Sequence, residues 1–94
     1  SWASAAHGAR LLVPPYVQDA REDGFTIAYE TDVKVNGVLV LDSGQKVTTE
    51  GQRHEAKITG LKPGTRVGYR IEIDGQKVAR AYLERASGGA KRGG

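Results

Sequence analysis

Apolar and polar residues alternate along most of this chain, and the period is two. Phe25, Ile27 and Tyr29 are interleaved with Thr26, Ala28 and Glu30. Val67, Tyr69, Ile71 and Ile73 are interleaved in the same way with Gly68, Arg70, Glu72 and Asp74. A two-residue period sends one set of side chains to a buried face and the other to water, so both runs predict half-buried strands. Residues 53–61 predict another, with Ala56, Ile58 and then Leu61 on the apolar side. Residues 77–85 predict the last strand, with Val78 and Tyr82 on one parity and Ala79, Ala81 and Leu83 on the other. No stretch carries a helical period.

Turn chemistry separates these runs. Arg21-Glu22-Asp23-Gly24 and Asp42-Ser43-Gly44 are polar turns, and Lys62-Pro63-Gly64-Thr65 is a tight corner. There proline presets φ and glycine admits a positive φ. Asp74-Gly75 is a strong hairpin dipeptide. Leu11-Leu12-Val13-Pro14-Pro15-Tyr16-Val17 is apolar but interrupted by two prolines, which confines it to a sheet edge or a strand switch. Residues 33–41 admit two readings. Asn36-Gly37 is a two-residue hairpin by its local chemistry; alternatively residues 31–36 cross between sheets and only residues 37–41 are strand. Residues 45–49 predict a short edge strand. Seven short strands with glycine-, proline- and aspartate-containing turns predict an all-β sandwich. Its expected core is Ile27, Tyr29, Ile58, Leu61, Tyr69 and Ile71, with Tyr16 and Phe25 also facing inward.

Length and composition refine this picture. Ninety-four residues suffice for one domain. Residues 1–10 read as a flexible leader, residues 11–86 as the sandwich, and residues 87–94 as a flexible, Gly-rich basic tail. Cysteine is absent, so no disulfide reinforces the core, and methionine is absent even at position 1. The chain is therefore expected to be a processed or excised product, and Ser1 to Ala6 to follow a removed signal peptide or to be an artificial extension. No run of about 18 apolar residues occurs, so no membrane span is expected. The net charge of +3 is mild, and Lys91 and Arg92 in the tail supply much of it.

Catalysis is not expected. His7 and His54 are the only histidines. A dinuclear metal site needs several His, Asp and Asn ligands in local motifs, and zinc without cysteine needs more than two distant histidines. No metal, no cofactor and no catalytic residue is assigned. His54 is expected to play a structural or turn role. Ser43 and Thr65 sit in turns, where hydroxyls cap backbone groups.

A family resemblance rests on four pieces. They are Pro15-Tyr16-Val17-Gln18, Gly24-Phe-Thr-Ile-Ala-Tyr-Glu-Thr-Asp32, His54-Glu-Ala-Lys-Ile-Thr-Gly-Leu-Lys-Pro-Gly-Thr65 and Tyr69-Arg70-Ile71. Together they resemble the fibronectin type III-like N-terminal domain of purple acid phosphatase-type metallophosphoesterases. The likeness spans residues 14–85, and Gly-Leu-Lys-Pro-Gly-Thr alone is common to fibronectin type III domains. It implies a seven-stranded fibronectin type III/immunoglobulin-like sandwich. Val67 stands where such domains often carry the aromatic of a tyrosine corner, and Tyr29 stands where tryptophan is common. In that family the domain is an accessory, and the metal ligands lie in a catalytic domain that follows it.

The expected function is a non-catalytic interaction or structural module, extracytoplasmic or secreted. It would serve either as an accessory domain of a metallophosphoesterase or as a small subunit joining copies or partners through its ends. Its partner would be protein: its own copies or a neighbouring catalytic domain. Trp2, Leu11, Leu12 and Val13 are the candidate contacts, because they carry more apolar surface than a linker requires. The alternative is binding of a polyanion, nucleic acid or acidic polysaccharide, through Arg66, Arg70, Arg80, Arg85, Lys91 and Arg92. The bland reading of those arginines is charge pairing across strands on a wet face.

Overall fold

The alternating segments become strands, and the computed structural model describes residues 9–84. In chain order these are β1 (Leu11–Arg21), β2 (Gly24–Leu41), β3 (Lys46–Ile58), β4 (Arg66–Ile73) and β5 (Gln76–Glu84). All neighbouring pairs are antiparallel. The order is β1-β2-β4-β5, with β3 also paired to β2.

β2 holds the molecule together because it changes partners along its length. Its first half lies between β1 and β3, with Val17 opposite Ile27 and Ala56 opposite Ile27 from the other side. Its second half lies between β3 and β4, with Leu39 opposite both Val47 and Ile71. The β2–β3 register shifts between Glu30 and Val35. There the Thr31 hydroxyl donates to the Val33 carbonyl at 2.7 Å. Gly51 on β3, opposite Val35, has φ +106°, a conformation that L side chains rarely adopt. The two strands therefore bend together, and the sheet curls.

Curling brings the inward parity of each half into one core. Phe25, Ile27 and Tyr29 from one half meet Leu39, Leu41, Tyr69 and Ile71 from the other, with Ala56, Ile58 and Val67. Burying large apolar side chains is the main favourable term in folding.

Four expectations change. Five strands stand where the pattern predicts seven, because β2 and β3 each run on through the bend as one extended strand, their mutual pairing stopping at Glu30–Arg53 and resuming at Val35–Gly51. The Asn36-Gly37 hairpin does not form, since both residues lie inside β2, opposite Glu50 and Thr49. Tyr16 is 40 % exposed instead of core-facing, because β1 is an edge strand with a neighbour on one side only. Leu61 lies beyond the end of β3, half-buried against the core.

Three turns form as the sequence chemistry requires. Gly24 follows the Glu22-Asp23 turn and pairs with Arg21. The Thr65 hydroxyl donates to the Lys62 carbonyl at 2.7 Å across the Pro-Gly corner. Asp74 and Gly75 have φ 54° and 78° between paired Ile73 and Gln76, the two positive values that suit a tight hairpin.

Candidate functional site

Three regions concentrate polar chemistry or exposed apolar surface. The first is β1 and the adjoining bend of β2. Two prolines and the single neighbour leave this edge strand poorly covered. Leu11 is half-buried and packs against the core. Leu12 is 63 % exposed, and Val13 is half-buried. Tyr16, Val17 and Val33 are also exposed, so most of the large exposed apolar side chains among the described residues lie here. Trp2, the other candidate contact, lies outside the described residues.

The second region is the outer face of β4 and β5. Gly68 pairs with Tyr82 and Arg70 with Arg80. Arg70 is paired with Glu72 on its own strand. Arg80 reaches both oxygens of Asp42 at 3.0 Å and the Tyr82 hydroxyl at 3.3 Å. The guanidinium carbons of Arg66 and Arg80 lie 4.3 and 5.1 Å from the centre of the Tyr82 ring, within cation–π range. The structure thus brings Arg66, Arg70 and Arg80 onto one face, yet carboxylates engage two of them. The face is charge-paired, but along β4 and with the β2–β3 turn instead of between opposing strands. Arg85, Lys91 and Arg92 lie outside the described residues.

The third region is internal. His54 is fully buried within β3. Its ring stacks on Tyr29 with centroids 4.5 Å apart and planes within 1°. Thr49 Oγ1 lies 2.7 Å from His54 Nδ1 and Thr31 Oγ1 lies 3.5 Å from Nε2. Since Thr31 donates to Val33, its oxygen is free to accept from Nε2–H. Tyr29 then donates to Thr49 across 3.4 Å, and Thr49 donates to Nδ1. This pairing accommodates a neutral imidazole, the form that burial favours. Burial pushes the His54 pKa below its ordinary value, partly offset by a hydrogen bond to the Gly51 backbone. Burial also raises the Tyr29 phenol, against a smaller opposing effect of its bond to Thr49. His54 therefore satisfies the bend of the sheet from inside.

Among the described residues, no three His, Cys, Asp or Glu side chains converge on a point that could hold a metal ion. No helix there is long and apolar enough to cross a membrane. No protein-family model, curated protein or solved structure matches the chain.

Sequence reasoning missed two polar clusters. Arg21 donates to Asp19, Thr26 and the Ile58 carbonyl at 2.7–3.0 Å, tying β1, β2 and the end of β3. Arg53 reaches Glu30, Glu55 and Gln18 at 2.9–3.3 Å. It also missed the Tyr82 platform. Each depends on which residues face each other across strands, and no local signal in the chain carries that.

Proposed function

We propose that this chain is a non-catalytic, extracytoplasmic interaction module with a fibronectin type III-like sandwich. What supports the sandwich reading is the change of partners along β2, whose first half lies between β1 and β3 and whose second half lies between β3 and β4 in a sheet that curls at the bend. The module acts either as the accessory domain of a metallophosphoesterase or as a small subunit that joins copies. In both cases the partner is protein, and β1 carries the contact.

The observation behind this reading is the exposed apolar run on an edge strand: Leu12, Tyr16 and Val17, with Val33 beside them in the bend. Edge strands offer unpaired backbone groups to an added strand, and exposed apolar clusters mark contact surfaces. A neighbouring domain or a second copy would leave the edge bare in the isolated chain. A bare edge of this kind pairs with itself when concentrated.

Sedimentation of the full chain over a concentration series tests the reading. Association is expected to grow with concentration and to be lost in Leu12→Lys and Val17→Lys, two exposed positions where a charge leaves the core intact. A chain that stays monomeric at every concentration would contradict it. Binding of a polyanion with steep salt dependence would favour the alternative.

A further inference from the structure

At the C-terminal end of β2, a cleft of about 340 Å³ opens between two turns. One wall is the β2–β3 turn. It is fixed by Leu41 N–H donating to the Gln45 carbonyl at 2.8 Å and Asp42 N–H donating to the Gly68 carbonyl at 2.9 Å. The other wall is the β3–β4 loop, anchored by Leu61 N–H on the Asp23 carbonyl at 2.8 Å. Leu41, Leu61 and Val67 supply its apolar lining, and Lys62 and Arg66 supply two cations.

The cleft continues onto the Tyr82 platform through Gly68. A methyl group there would lie 2.2 Å from Asp42 Oδ2 and 2.9 Å from Tyr82 Cε2. The missing side chain lets Asp42 and Tyr82 lie low over β4 instead of standing between cleft and platform. Asp42, the one acidic residue lining the cleft, is already engaged by Arg80. Among the described side chains, neither Lys62 nor Arg66 forms an ion pair. Tyr82 is 52 % exposed.

We infer that this cleft and platform bind an extended acidic peptide segment of a partner protein, one with an aliphatic residue beside a Glu or Asp. The aliphatic group enters the apolar lining. The carboxylate meets Lys62 and Arg66, and the peptide continues over the Tyr82 ring. Charge complementarity selects this occupant: the cleft offers two cations that no described carboxylate pairs, beside an apolar lining, and a purely charged polymer would leave that lining unfilled. The inference rests on the interaction-module reading but uses a surface separate from β1.

The test titrates the isotope-labelled full chain with a seven-residue Glu/Leu/Val peptide and follows amide shifts. Two control peptides replace the acids by lysine or the aliphatic residues by serine. Saturable binding is expected, with shifts at residues 41–45, 60–68 and 80–82. Each control peptide should bind about tenfold more weakly or worse, as does Arg66→Glu with an unchanged melting temperature. Arg66→Lys should keep part of the affinity. Absence of saturation at millimolar peptide, equal binding of either control, or shifts confined to β1 would overturn the inference. So would an oligonucleotide that occupies the same residues more tightly than the peptide. Sedimentation of the same samples reports on the β1 edge independently, so failure here and failure of the interaction-module reading are distinguishable.

Discussion

Gly37 shows how one residue can mislead a sequence reading and still be indispensable. Next to Asn36 it looks like a hairpin turn, but it sits in a paired strand. A methyl group at that position would lie 2.1 Å from the Tyr29 hydroxyl and 3.5 Å from His54 Cε1. Glycine is therefore required by packing, not by a turn. Gly37→Ala is expected to cost about 1–3 kcal/mol, because the buried Tyr29 ring has nowhere to move. Tyr29→Phe removes the clashing atom, so the double variant should recover part of that loss. Urea unfolding of the two single variants and the double variant gives the coupling; strictly additive losses would show that the clash is not the cause. His54 adds a pH dependence. Its folded-state pKa lies below the ordinary value, so the unfolded chain takes up a proton more readily. The His54 contribution is present above about pH 6.5 and is lost as pH falls through the folded-state value. The urea midpoint should therefore fall between pH 7 and pH 5 more steeply in the parent than in His54→Gln. Equal slopes would contradict the buried neutral imidazole.

At the scale of elements, strand identity was legible wherever the two-residue period was strict. All seven residues of the apolar sets Val67 to Ile73 and Phe25 to Tyr29 are buried as expected, but Thr26 and Ala28, expected to face water, are buried as well, because the start of β2 is covered on both faces. The Asp74-Gly75 hairpin was legible from its dipeptide. Both residues have positive φ, so Gly75→Ala should cost about 1–2 kcal/mol through left-handed strain alone. A midpoint shift near zero in urea would mean that the turn relaxes into another type. What was not legible is where strands continue. Residues 31–36 and 50–53 contain polar, turn-forming side chains, yet β2 and β3 both stay extended through them, their pairing lapsing after Glu30–Arg53 and resuming at Val35–Gly51. The exposure of Tyr16 was hidden for a related reason: the period of β1 reports its parity but not that it lies at the edge. The candidate contacts were legible only in part. Leu12 is exposed as an interaction residue requires, whereas the grouping of Arg66, Arg80 and Asp42 around Tyr82 exists only once the β4–β5 register is set.

For the whole molecule, the curled sheet separates three tasks. The bend is satisfied from within by Tyr29, His54, Thr31 and Thr49. The β4–β5 face carries Arg70 and Arg80, each paired with a carboxylate, beside the cleft. β1 carries apolar side chains that the core does not use. The proposal that β1 is the contact edge is the central claim, and amide exchange of the full chain at low and high concentration tests it most directly, because it reads which strand is covered. β1 amides from Leu12 to Val17 (the two prolines aside) should become slower to exchange at high concentration, while β5 amides stay unchanged, and Val17→Lys should abolish the difference. Concentration-independent exchange in β1, or protection that appears on β5 instead, would contradict the account.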